Sequence, residues 1–177
     1  MYPFSFQVSA DTTVSHLSGL AYTDPLTGMA NRSRCETLLS DLNGTEDGCT
    51  VVSMDVDHLK QLNDTFGPST GDKYMVDMAG FLRDAFPDAL LLGRMGGDEF
   101  IAVLKGMDRE KFKACAKHLN GLVKAKNASG SEIHYGISYG AAYTYETTGH
   151  TLEAAMEIAD ARMYEMKRIR HAQEGRA

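Results

Sequence analysis

The chain of 177 residues is 43% hydrophobic and 24% charged, with a formal net charge of -6, the make-up of an ordinary globular domain with a full core. The acidic balance argues against a nucleic-acid polymer as partner, and no apolar run approaches the roughly 20 residues needed to cross a bilayer. Cys35, Cys49 and Cys115 are odd in number and scattered, so a reducing, cytoplasmic setting is expected rather than a disulfide framework or a zinc site.

Residues 1–20 carry no readable chemistry and no signal-peptide pattern, but Val14, Leu17 and Leu20-Ala21 have helical spacing. They suggest a lead-in helix, a connector or a tail, before one domain over 21–177. Asp24-Pro25-Leu26-Thr27-Gly28 is a turn cluster. Ser33-Arg34-Cys35-Glu36 offers a capping box for a helix with Leu38, Leu39 and Leu42 inward and Asn43-Gly44 closing it. Asn31 and Arg32 precede it; an arginine there could meet phosphate or simply be solvated.

Cys49 to Met54 is apolar and β-branched, hence a central strand, and it ends in Asp55-Val56-Asp57. The two aspartates share a strand face. Asp57 is placed to N-cap a helix from His58 to Phe66, whereas Asp55, at the end of a buried strand, stands where metal sites on such sheets tend to sit. Leu59, Leu62 and Phe66 form that helix's inner stripe, and Asn63 falls on it; an amide on an apolar face needs either a core hydrogen bond or a ligand. A loop is expected over 67–72. Another helix follows, marked by Met75, Met78-Ala79, Leu82 and Phe86, with Asp72 as a capping acid near its start.

Ala89–Leu92 and Phe100–Leu104 read as buried strands joined by a hairpin at Gly96-Gly97. Asp98 and Glu99 follow the turn at once. Two acids there are either turn and surface residues or the partners of a divalent metal. A helix is expected from Arg109 to Lys124, a polar loop from Lys126 to Ser131, and an irregular strand from Glu132 to Thr144. The last helix runs from Thr151 to about His171, with Leu152, Ala155-Met156, Ala159, Met163 and Met166 on one stripe. Its terminal Lys167, Arg168 and Arg170 complement the helix dipole, or include one phosphate-seeking lysine.

Taken together, several blocks resemble the GGDEF family, the diguanylate cyclase domain, over roughly residues 21–170. They are Asp24 to Arg32, Asp55-Val56-Asp57-His58 through Asp64, Phe66-Gly67 through Gly71-Asp72, the hairpin 94–100, Gly136-Ile137-Ser138-Tyr139-Gly140, and Ala159-Asp160 through Tyr164 and Lys167. The resemblance implies a central, mostly antiparallel sheet wrapped by helices, an α/β (α+β) fold similar to the palm of nucleotide cyclases and polymerases. It implies condensation of two GTP into cyclic di-GMP and two pyrophosphates, at the interface of a homodimer and under the control of an upstream sensory domain.

By the same resemblance Asp55, Asp98 and the Val56 carbonyl would hold Mg²⁺, with Mn²⁺ an alternative, and Glu99 would serve as ligand or base. The amides of His58 and Leu59, with Lys167, would meet phosphates; Asn63 and Asp72 would read guanine. The sequence departs from the family pattern at Pro68 (commonly histidine), Leu59 (commonly phenylalanine) and His171 (commonly arginine, unless Arg168 or Arg170 substitutes). Pro87-Asp88-Ala89-Leu90 stands where many members carry an Arg-x-x-Asp product-inhibition motif. An active cyclase is the leading expectation. A catalytically silent GTP-binding regulatory domain and a pure dimerisation module are the alternatives.

Overall fold

A computed structural model describes residues 21–42, 48–130 and 132–174; the expected lead-in over 1–20 and the helix stop at Asn43-Gly44 lie outside them. In chain order the elements are α1 (Arg32–Leu42), β1 (Cys49–Val56), α2 (Leu59–Phe66), α3 (Pro68–Ala85), β2 (Leu91–Arg94), β3 (Glu99–Lys105), α4 (Arg109–Asn127), β4 (Ile137–Tyr143) and α5 (Leu152–Glu174). The strands pair antiparallel in the order β2-β3-β1-β4, as the expected fold class requires.

β1 is central and buried along its whole length, which is why its sequence is an unbroken apolar run. Its pleat divides the core in two. Val52, Met54 and Val56, with Phe100, Ala102 and Leu104 of β3, pack against Tyr74, Met75, Met78 and Leu82 of α3 and Leu119 of α4. Val51, with Ile101 and Val103, packs on the other face against Cys35 of α1 and Leu152, Ala155 and Ala159 of α5. Each fully buried aliphatic side chain contributes about 1.5–3 kcal/mol. Edge strand β2 is covered by the preceding turn segment, for Ala30 donates to Leu92 and its carbonyl accepts from Arg94, which occupies an edge that would otherwise invite pairing.

Several expected local features differ. Helix α1 begins at Arg32, and its cap is Asn31, whose Oδ1 accepts from the Arg34 amide at 3.0 Å; Ser33 is already inside the helix. The expected loop over 67–72 shrinks to Gly67, at φ 86°, because Pro68 starts α3 directly at a position where its missing N–H costs nothing. Phe66 is 44% exposed rather than inward. Helix α4 runs to Asn127, three residues past Lys124. Strand β4 starts only at Ile137, because the Asn127 side chain has already taken the Tyr135 amide (2.7 Å) and carbonyl (2.9 Å) out of any ladder.

Helix α5 lies unusually close to β4 at Gly140, where an added Cβ would overlap the Ala159 carbonyl and the Met163 amide and come within 2.7 Å of Arg162 Cβ. Neither backbone group can yield without moving the helix. Gly140→Ala is expected to lower stability by about 3 kcal/mol, measured by urea unfolding; an unchanged midpoint would mean that α5 does not dock as described.

Candidate active site

The acids converge because of register. Asp55, the penultimate residue of β1, stands directly opposite Glu99 on β3 and Ser138 on β4, and directly opposed residues share a face. Asp98 closes the turn before β3, its carbonyl accepting from the Val56 amide at 2.9 Å. Asp98 thus belongs to the turn and Glu99 to the strand. Asp55 is buried, Asp98 half-buried and Glu99 exposed, and a cavity of about 290 Å³ opens beside Glu99 between β3 and α5, lined also by Met163 and Tyr164.

Helix α5 meets the acids with cations. Lys167 Nζ donates to Asp55 Oδ1 at 2.6 Å, and Arg170 donates to Asp57 Oδ2 at 3.0 Å. Burial pushes the Asp55 carboxyl above its ordinary value; the Lys167 hydrogen bond opposes this, while the charges of Asp98 and Asp57 reinforce it. Burial works to lower the Lys167 ammonium, but the hydrogen bond and charge of Asp55, followed by Asp98 and Asp57, raise it on balance. The partners therefore do not move symmetrically. Asp55 feels two further acids, so the pocket stays negative with the ammonium in place.

Asp57 does not cap α2, as the sequence had suggested. The residue at the cap is His58, held in the left-handed region at φ 62° with no side-chain cap. Asp57 instead accepts from Ser138 Oγ at 2.8 Å as well as from Arg170, and its carbonyl accepts from the buried Tyr74 hydroxyl at 3.0 Å. A non-glycine residue in that backbone region costs about 1 kcal/mol or more and persists only when its surroundings fix it; Ser138, Arg170 and Tyr74 do so here. They aim the start of α2, with its His58 and Leu59 amides, outward beside the acids.

Asn63 and Asp72 come from either side of the Gly67 corner. Asn63 Oδ1 is buried and has no hydrogen-bond partner among the described residues, whereas Asp72 is exposed. Of the candidates to replace the family arginine, Arg168 pairs with Glu165 and Arg170 is committed to Asp57. His171 stacks near His58, with ring centroids 4.9 Å apart.

Sequence reasoning missed the clamp on the hairpin. Arg94 donates to the Gly97 carbonyl at 2.7 Å and the Gly96 carbonyl at 3.1 Å, and pairs with Asp24 at 3.3 Å. Asp24 in turn accepts from the Thr27 amide at 2.8 Å and hydroxyl at 2.6 Å. The turn cluster was legible; that its aspartate reaches an arginine 70 residues on was not, since one sequence carries no signal of that pairing.

The donor set suits a hard divalent cation: carboxylate and carbonyl oxygens, a residual negative charge, and an ammonium already drawn to Asp55. Among the described residues no three acid or histidine side chains stand in ready ligand geometry.

Comparison with known proteins agrees with this geometry. The family profile described as diguanylate cyclase, GGDEF domain, matches residues 21–173. Diguanylate cyclase DgcP of Pseudomonas aeruginosa is 30% identical over 171 residues, covering 93% of this chain and 26% of that protein. Diguanylate cyclase DosC of Escherichia coli is 33% identical over 153 residues, 82% of this chain and 33% of that protein. The chain thus spans about a quarter to a third of these relatives' length. The crystal structure of diguanylate cyclase SiaD in complex with its activator SiaC, from Pseudomonas aeruginosa, superposes with a TM-score of 0.73 at 26% identity, covering 92% of this chain and 64% of that one. No helix among the described residues is long and apolar enough to cross a membrane.

The clamp gives a pH dependence. Burial acts to raise the Asp24 carboxyl, but hydrogen bonds from Thr27 and the Arg94 charge hold it below its ordinary 3.8. A lowered folded-state value contributes stability that is present above 3.8 and lost as pH falls through the folded value. Asp24→Asn is therefore expected to be less stable than the parent at pH 6, with the gap narrowing as pH falls below 3.8. A gap that stays constant in urea titrations across that range would contradict the assignment.

Proposed function

The chain belongs to the GGDEF domain family, and on that premise we propose that it is a diguanylate cyclase, condensing two GTP into cyclic di-GMP and two pyrophosphates across a homodimer. The observation that carries the reading is the convergence of Asp55, Asp98 and Glu99 at one strand end, beside the start of a helix and a buried amide oxygen, Asn63 Oδ1, without a hydrogen-bond partner among the described residues. A structural core has no use for that combination. The homologues named diguanylate cyclase support the same activity.

In this reading each domain holds one GTP. The His58 and Leu59 amides, at the N-terminal first turn of α2, receive phosphate oxygens. Lys167 moves between Asp55 and the phosphates, and its raised affinity for the proton keeps it cationic. Asn63 and Asp72 take the guanine edge: a carboxylate accepts from N1–H and the exocyclic amine, and a site built on such bonds can reject ATP by up to about 10⁴. Asp55, Asp98 and the Val56 carbonyl would hold Mg²⁺ or Mn²⁺, which when bound stabilises charge on the attacking and leaving oxygens. Glu99, exposed opposite Asp55, is the carboxylate that can accept the 3′-hydroxyl proton as that oxygen attacks the partner nucleotide's α-phosphate and pyrophosphate leaves. Control by an upstream domain or a separate activator belongs to the same proposal; SiaD, crystallised with its activator, offers the precedent.

The Asp55–Lys167 pair also favours a second reading, a GTP-binding regulatory domain without turnover, in which the ammonium stays on the carboxylate permanently. Purified protein with GTP and Mg²⁺ separates the two. Pyrophosphate and a cyclic dinucleotide are expected, at a rate rising faster than linearly with protein concentration because two copies must meet. Asp98→Ala is expected to cut turnover by roughly 10³-fold or more with the unfolding midpoint retained. Nucleotide binding without product would overturn catalysis, and full activity in Asp98→Ala would overturn the role of that acid.

A further inference from the structure

Gly71 sits in the first turns of α3 and is buried. Its backbone does not require glycine, since it is not among the residues with positive φ. Glycine inside a helix costs about 1 kcal/mol relative to alanine, so the compensation must lie in space rather than in conformation. A Cβ at Gly71 would come within 2.8 Å of Asn63 Cγ and 3.2 Å of Nδ2, and nearer still to Oδ1. All three of the nearest atoms belong to one side chain, and none is backbone. The glycine therefore makes room for the Asn63 amide.

That amide does not contribute to core stability as it stands. Its Oδ1 is buried without a partner among the described residues, which costs about 1–3 kcal/mol. Two unfavourable features, a helical glycine and an orphaned carbonyl, thus meet at one contact. Both become intelligible if the amide must turn to meet a ligand.

We propose that Gly71 is a positioning residue for recognition of the purine base: its bare backbone is the seat against which the Asn63 amide is stored and turns toward guanine. This rests on the reading of Asn63 as a guanine contact. Asp72, the next residue, projects from the same turn of α3, so the seat and the second base-reading acid are set by one piece of backbone. A methyl group at position 71 displaces the amide and leaves the acid where it is.

The test is equilibrium binding of α,β-methylene GTP, which cannot release pyrophosphate, to the parent, Gly71→Ala, Asn63→Ala and the double variant, with thermal melting of each. Gly71→Ala is expected to weaken binding roughly tenfold, and Asn63→Ala at least as much. The double variant is expected to match Asn63→Ala within about twofold, since truncation removes all three of the atoms nearest the added methyl, and to melt no lower than Asn63→Ala because alanine favours the helix. If Asn63→Ala binds like the parent, the guanine reading fails. If Asn63→Ala weakens binding and Gly71→Ala does not, or if the two losses add in the double variant, the guanine reading stands and the role of Gly71 is overturned. Should Gly71→Ala not fold, the comparison of Asn63→Ala with the double variant still decides, and a double variant that also fails to fold overturns the proposal.

Discussion

Two buried aspartates at the C-terminal end of β1, Asp55 within it and Asp57 just past it, face two cations on α5, and the rest of the site is arranged around that contact. Asp55 and Asp57 are two residues apart on a strand, about 6.6 Å; Lys167 and Arg170 are three apart on a helix, about 4.5 Å along its axis. The spacings are near enough for one helix face to meet both acids, at 2.6 and 3.0 Å. Without the cations the carboxylates would be buried unpaired, which is strongly destabilising. With them, the Asp57 pair holds the backbone that opens α2, and the Asp55 pair leaves a net negative pocket for a further cation. The first contact is structural; the second is the one proposed to exchange, though they look alike in sequence.

Three scaffolds then divide the work. The ends of β1 and β3 present the acids, fixed by strand register. The α2–α3 corner presents Asn63 and Asp72, the pair proposed to read the base, fixed by a single glycine at positive φ and a proline that starts the next helix. The hairpin turn is fixed from outside the sheet by Arg94, whose guanidinium gathers two turn carbonyls and Asp24. Asp24 lies at the start of the described domain, so the position of Asp98 is tied through one ion pair to the segment by which the chain enters the fold.

Much of this was legible beforehand. The unbroken run Cys49 to Met54 announced a strand buried on both faces, and the glycines at 96–97 announced the hairpin. Asn63 was conspicuous as an amide on an apolar stripe. The failures share a cause: side chains took over backbone hydrogen-bonding groups in ways that local pattern cannot register. Asn127 removed Tyr135 from the ladder, Asn31 displaced Ser33 as a cap, and Asp57 was drawn to Ser138 and Arg170 instead of to α2. Each partner is distant in sequence or two positions off the expected register, so periodicity alone could not reveal it. Gly71 was visible as part of a motif, yet its reason, contact with Asn63 across the corner, exists only in three dimensions.

The central claim is that Asp55 and Asp98 hold a divalent cation together with a bound guanine nucleotide. Its most direct measurement is the electron paramagnetic resonance of free Mn²⁺ titrated with protein and α,β-methylene GTP. The free-ion signal should fall with the parent protein and the nucleotide together, and far less with Asp55→Asn, whose folding is checked by circular dichroism. Mn²⁺ held equally well by Asp55→Asn would contradict the account.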